Sequence, residues 1–189
     1  MQTPSLLQNI LQTNTIHFRD IPLGSPLELV LEKEGTPTEI KEYSNPFYHY
    51  FIEIGEMEEL NIYYNYETTG RLVKEISLYF IHYPDHYWKQ AGNSDPVAFW
   101  DLLQTNQLQP FSEVFYNTVH DVLAAFTTLF KQEPEVSAKP AVPFDALHHA
   151  YKSYTWTDDV HYLNMQTYVD DSIDDNVRNT MILKLGHLK

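Results

Sequence analysis

Apolar and polar positions along the chain fall into two runs of similar layout. Leu27, Val30 and Leu31 recur with helical spacing and make one apolar stripe on a polar segment. Ser25 stands where an N-cap belongs, Pro26 at the first helical position, and Glu28 completes a capping box. Gly35 is a left-handed stop, and Pro37 keeps the helix from resuming. A helix of about nine residues does not persist alone in water, so it must lie on another layer.

The period then changes to two. "NPFYHYFIEI" (45–54), "LNIYYNY" (60–66) and "RLVKEISLYFIHY" (71–83) are rich in aromatic and β-branched residues and predict three strands, with a short fourth at 38–43. "ETTGR" between the last two reads as a hairpin turn in which Gly70 takes positive φ. Asp95 and Pro96 open another helix that ends near Asn106, and a longer one covers 117–131 with Val119, Val122, Leu123, Phe126 and Phe130 on one face. "KQEPEVSAKPAVPFD" reads as a loop. "VHYLNMQTYV" (160–169) and "VRNTMILKLGHL" (177–188) are strands joined by a turn at "DDSIDDN".

The two runs share local sequence. "ILQTN" at 10–14 recurs as "LLQTN" at 102–106, an offset of 92 that also carries Ser25 onto Asn117 and Leu27, Val30 and Leu31 onto Val119, Val122 and Leu123. Leu60–Asn61 matches Leu163–Asn164 at an offset of 103. The expected fold is therefore α+β: two tandem helix-plus-meander units, residues 1–92 and 93–189, sharing an extended antiparallel sheet with helices on one face.

Leu23-Gly24-Ser25, Glu28, Val30, Gly35 and Pro37, followed by the "YY…TGRLVKEISLYF" hairpin, resemble the SmpA/BamE-type unit. The resemblance covers roughly residues 20–83 and implies a capped helix packed on a three-stranded meander. Two such units in tandem are similar to the architecture of β-lactamase inhibitory protein and of some bacterial immunity proteins. The lipidated cysteine of the BamE lipoproteins has no counterpart here, and the second helix ends in Lys131-Gln132-Glu133-Pro134 rather than Gly-x-Pro. The shape is what carries over: a sheet with one covered face and one free face.

Strict alternation assigns those faces. Leu72, Ile76, Leu78 and Phe80 point inward, as do Leu60, Ile62, Tyr64 and Tyr66, and Leu163, Met165 and Val169. The free face then presents Asn61, Tyr63, Asn65, Glu75, Ser77, Tyr79, Ile81, Tyr83, Tyr162, Asn164, Gln166 and Tyr168. Tyrosine and amides in such number suit a protein interface better than a solvated sheet, which favours lysine, glutamate and threonine.

Charge narrows the partner. Formal charge is −14, and each half carries 6 basic and 13 acidic side chains, so the acidity belongs to the whole surface. Nucleic acid and anionic membrane are disfavoured as partners because both require a basic patch. A basic protein partner would be attracted, with Asp170, Asp171, Asp174 and Asp175 as an acidic rim that steers it. There is no cysteine, which excludes disulfides and thiolate chemistry. The N-terminal stretch lacks the basic and apolar regions of a signal peptide, and the cytoplasm is the expected location.

Candidate chemistry is sparse. His82, Asp85 and His86 in "HYPDHYW", joined across the fold by His161 or by His148 and His149, are the best metal or catalytic candidates, although Pro84 makes their segment a turn. "DDSIDDN" lacks the glycine of a calcium loop, and no nucleophile elbow or phosphate-binding glycine motif occurs. The expected function is a non-catalytic, cofactor-free protein-binding module of the inhibitor or immunity-protein kind. A small metal-binding protein or enzyme built on the histidine cluster is the alternative, and a homodimer through the tyrosine face is a third reading.

Overall fold

The computed structural model describes residues 17–55, 58–104, 110, 112–138, 152–170 and 178–188. A short hairpin, β1 (His17–Phe18) and β2 (Ile21–Pro22), leads into α1 (Leu27–Glu34). Four strands follow: β3 (Glu39–Lys41), β4 (Phe47–Gly55), β5 (Glu58–Tyr66) and β6 (Val73–His82). Three helices, α2 (Pro84–Gln90), α3 (Pro96–Gln104) and α4 (Glu113–Phe130), precede β7 (Glu135–Ala138), β8 (Lys152–Thr157), β9 (His161–Asp170) and β10 (Arg178–His187). Strands β3 to β10 form one antiparallel sheet in the order β3-β4-β5-β6-β10-β9-β8-β7. Each half of that sheet is thus a meander of four strands preceded by a helix, and β6 pairs with β10 at the centre. The fold is α+β with an extended antiparallel sheet, as the pattern predicts.

The core lies between one face of this sheet and the helices α1 and α4. Ile62, Tyr64 and Ile76 of the first half and Trp156, Leu163, Met165 and Leu185 of the second are fully buried in the same cluster as Val30, Val122 and Phe126. Continuous registers explain how both halves feed one core: Tyr64 lies opposite Ile76, Ile76 opposite Leu185, Leu185 opposite Leu163, and Leu163 opposite Trp156. Residues directly opposite share a face, so this row is apolar from β5 to β8. Two polar groups at the end of α1 are brought into the core as a paired set. The Tyr64 hydroxyl donates to Glu34 Oε1 at 2.6 Å, and Arg19 meets Glu34 Oε2 at 2.9 Å, which ties the end of α1 to β5 and to the first turn.

Several local expectations hold. Gly35 ends α1 at φ +81°, Gly70 sits in the β5–β6 turn at φ +82°, and Asp95 Oδ1 accepts the Val97 N–H at the start of α3. Others do not. The capping box is absent: Pro26, not Ser25, is the N-cap of α1, and no side chain caps it. The backbone of 24–27 is used differently, pairing with the chain that enters β6, with Gly24 N donating to Val73 O, Val73 N to Ser25 O and Leu27 N to Arg71 O. Leu31 is 39% exposed, so the stripe that α1 buries is narrower than its sequence suggests.

A register shift between Asn65 and Tyr66 reverses the parity at the start of β6, so Val73 is buried and Leu72 is 41% exposed. The second long helix begins at Glu113, after Ser112, which leaves Asn117 inside it rather than at its cap. The predicted loop after α4 contains β7, and the segment before β9 contains β8. Residues 10–14, the first copy of the repeated pentapeptide, lie outside the described residues. No helix among the described residues is long and apolar enough to cross a membrane.

Candidate functional site

The sheet's second face carries the candidate residues. Its central row runs His49–Tyr63–Ser77–Lys184–Asn164–Thr155 across five strand pairings, and the flanking rows are Phe51–Asn61–Tyr79–Ile182–Gln166–Ser153 and Phe47–Asn65–Glu75–Gly186–Tyr162–Thr157. Asn61, Tyr63, Asn65, Tyr79, Tyr162, Asn164, Gln166 and Tyr168 are all half-buried on this face. Alternation along β5 and β9 therefore assigns inside and outside correctly in both halves, with Leu60 and Leu163 buried and Asn61 and Asn164 opposite them.

An aromatic group occupies one side. The Tyr63 ring stacks on His49 at 4.5 Å and 8°, and it takes Phe47 and Tyr79 edge-on at 5.3 and 5.2 Å. His49 Nε2 bonds Asn61 Oδ1 at 2.9 Å, which fixes the imidazole plane under that stack. Each such ring pair adds about 0.5–1.5 kcal/mol beyond its buried area, so the group is preorganised.

The other side is a hydrogen-bond network centred on Glu75. Its Oε1 accepts from Asn65 Nδ2 at 3.2 Å and from Ser77 Oγ at 2.9 Å, while Oε2 accepts from the Tyr162 hydroxyl. Tyr162 belongs to β9 and Glu75 to β6, so the tyrosine must cross β10. It does so over Gly186, where a Cβ would stand 2.5 Å from the ring. Asn164 Nδ2 donates to Ser153 and Thr155, and Gln166 donates to Asn164 Oδ1 at 2.7 Å. The amides are thus locked by one another.

Between these two sides lies a depression of about 550 Å³ lined by Lys41, Lys74, Lys184, Phe47, Tyr63 and Glu75, among others. None of the three lysines forms an ion pair among the described residues; Lys41 lies 5.8 Å from the centre of the Phe47 ring. Three lysines lining one hollow are unusual in a chain of charge −14 with 12 basic residues. Composition and motif both miss them. Parity could have found Lys184, which shares its face with Thr180 and Ile182.

Tyr83 is a correction. The strand ends at His82, and Tyr83 is the N-cap of α2, with Pro84 at N1, so alternation no longer governs it. It is buried, donates to Glu59 Oε1 at 2.9 Å, stacks on His86 and lies under the Arg178 guanidinium at 5.7 Å. Thr180 and Ile182 are also buried although they belong to this face. The open surface is therefore smaller than the strands alone suggest. It reaches from Phe47 to Asn164 and is closed near the start of β10. The side chain of Asp170 and the residues Asp171, Asp174 and Asp175 of the expected acidic rim lie outside what is described.

The histidine cluster does not assemble. His82 is fully buried on the core face between Tyr87 and Phe115, with Nδ1 3.4 Å from Glu58 Oε1. Asp85 is buried against Lys89 at 3.0 Å, and His86 lies partly exposed on Tyr83. His161 pairs with Asp158 at 3.3 Å and neighbours His187, while His148 and His149 lie outside the described residues. No group of three or more potential ligands that could hold a metal ion occurs among the described residues.

Burial raises the tyrosines. Desolvation, followed by the hydrogen bond to Glu59, pushes Tyr83 up to about 12, and desolvation with the bond to Glu58 does the same for Tyr87. Tyr63, Tyr79 and Tyr162 are raised as well, by desolvation first. In the unfolded chain these phenols ionise near their ordinary value of 10.0, whereas the native state keeps its protons to higher pH. The unfolded state then binds fewer protons, so stability is unchanged below pH 10 and falls as pH rises from about 10 towards 12. Tyrosinate absorbance should rise partly near pH 10 and then jointly with loss of circular dichroism above it. Complete titration of every tyrosine near 10 with the fold intact would contradict this.

Comparison of the chain with protein-family models, with curated proteins and with solved structures finds no match.

Proposed function

We propose that the chain is a non-catalytic protein-binding module, of the inhibitor or immunity-protein kind, that receives a partner protein on the open face of its sheet. In this reading residues 1–92 and 93–189 are two helix-and-meander units of the kind seen in tandem inhibitors, and the fused sheet is the binding platform. One observation carries it. A rigid aromatic group and a rigid amide network flank a hollow whose three lysines have no ion pair among the described residues.

Such a surface fits a partner better than solvent. Aromatic anchors give contact area at low entropic cost, and locked amides present fixed donors and acceptors. The overall charge of −14 steers a basic partner, and the lysines at the centre receive one acidic side chain from it. The first effect sets the association rate and the second sets the register. Geometry offers less to a catalytic reading, because His82 is buried between Tyr87 and Phe115 beside Glu58, Asp85 is buried against Lys89, and His161 pairs with Asp158 instead of joining them.

The test uses the whole chain immobilised in native extract, beside Lys184→Glu and Tyr63→Ala. A specific partner should be retained by the wild type and bound at least about tenfold more weakly by either variant, and its association should slow steeply with added salt. Retention that is equal on all three surfaces, or association insensitive to salt, would overturn the assignment. Solution mass distinguishes a second copy of the chain as the occupant.

A further inference from the structure

On the opposite face, between the sheet and α4, lies a cavity of about 190 Å³. Leu60, Leu78, Met181 and Leu183 form its floor, and Phe18 and Val114 its walls. It is somewhat larger than the roughly 150 Å³ apolar cavity known to stay dry and to accept benzene. Its lining is apolar except at Thr118 and Glu58. The Thr118 hydroxyl is already committed to the Val114 carbonyl at 2.8 Å, so Glu58 is the polar group with capacity to spare.

The Glu58 carboxylate is held in place. Tyr87 donates to Oε1 at 2.9 Å, and the buried His82 presents Nδ1 at 3.4 Å to the same oxygen. Oε2 accepts no hydrogen bond from the described residues, and the side chain is only 13% exposed. Taking a carboxylate out of water is costly unless its open lone pairs meet a donor or a cation. A neutral hydrocarbon filling the space would strip the remaining water from this carboxylate without replacing it, and a carboxylate or phosphate ligand would be repelled.

We infer that this cavity binds a small apolar ligand bearing one ammonium group, with its hydrocarbon part over Leu78 and Leu183 and its charge on Glu58 Oε2. The cavity is on the far side of the sheet from the proposed partner surface, so the two assignments stand or fall separately.

Benzylammonium, benzyl alcohol and toluene are suitable probes, because they share a ring that the cavity accommodates and differ in the group offered to Glu58. Titration of the intact protein, followed by thermal shift and by ligand-observed nuclear magnetic resonance, should show benzylammonium binding at least tenfold more tightly than toluene, with the alcohol between. Glu58→Gln keeps an acceptor for Tyr87 but removes the charge. It should weaken benzylammonium at least tenfold and leave toluene unchanged. Should that variant fail to fold, the order of the three probes on the wild type decides alone. Failure of all three to bind, or benzylammonium no tighter than toluene, would overturn the inference.

Discussion

Trp156→Ala should destabilise the protein by about 3–5 kcal/mol, whereas Trp156→Phe should cost less than about 1.5 kcal/mol. The difference comes from how the indole is used. Trp156 is fully buried in β8, lies opposite Leu163, and meets Phe126 of α4 at 5.7 Å and Tyr154 at 6.5 Å. Removing it opens a void between α4 and the outer strands of the second half, where little else can collapse. The strands β7 and β8 are short, with β7 at the sheet's edge; α4 touches this side through Phe126, and just past its end Gln132 Nε2 donates to Thr157 O at 2.7 Å. Phenylalanine keeps most of the volume and sacrifices nothing polar, because the Trp156 Nε1 has no hydrogen-bond partner among the described residues. Denaturant unfolding measures both values. Equal cost for the two substitutions would show that the volume of the ring is not what holds α4 to these strands.

How much of this was legible beforehand depends on whether local pattern or distant pairing decides each feature. Alternation along β5 and β9 assigns Leu60, Ile62, Leu163 and Met165 inward and Asn61, Tyr63 and Asn164 outward without knowledge of which strands are neighbours. Gly35, Gly70 and Asp95 act through their own backbone or their nearest neighbours, so they too can be read locally. Failures arise where another segment takes over. Ser25 does not cap α1 because its backbone is claimed by Val73, far along the chain at the start of β6. Leu72 and Val73 exchange roles because of a bulge in pairing with β5, which a single strand's pattern does not contain. Tyr83 leaves the alternation because Pro84 starts a helix directly at the strand end. The strand β8, "KSYTWT", does alternate, with Tyr154 and Trp156 against Ser153 and Thr155, but at six residues it is brief and follows a proline-rich stretch. Beyond the outward parity of Lys184, the lysine hollow could not be read locally, since Lys41, Lys74 and Lys184 come to line one depression only once three parts of the chain are folded together.

Gly186→Ala should cost about 1.5–3 kcal/mol and weaken partner capture on the open face, although the residue itself contacts no partner in the proposed reading. The added methyl would stand 2.5, 2.6 and 2.7 Å from the outer atoms of the Tyr162 ring. Those atoms are the far end of a side chain, so the ring swings away and the backbone of β10 stays in register. What is lost is the bond from the Tyr162 hydroxyl to Glu75, a charge-assisted interaction that spans β9, β10 and β6. Glu75 then keeps Asn65 and Ser77 on Oε1 but has a free Oε2 beside the lysine hollow. That oxygen would compete for Lys184 with the acidic side chain of a partner. A double-mutant cycle separates steric cost from the lost bond. In a Tyr162→Ala background the Gly186→Ala change should be nearly neutral in stability, because the atoms it collides with are gone. The coupling energy should then approach the full cost of the single glycine substitution. Additive costs would mean that the glycine serves the strand's own conformation, and that the tyrosine crosses above it without needing the gap.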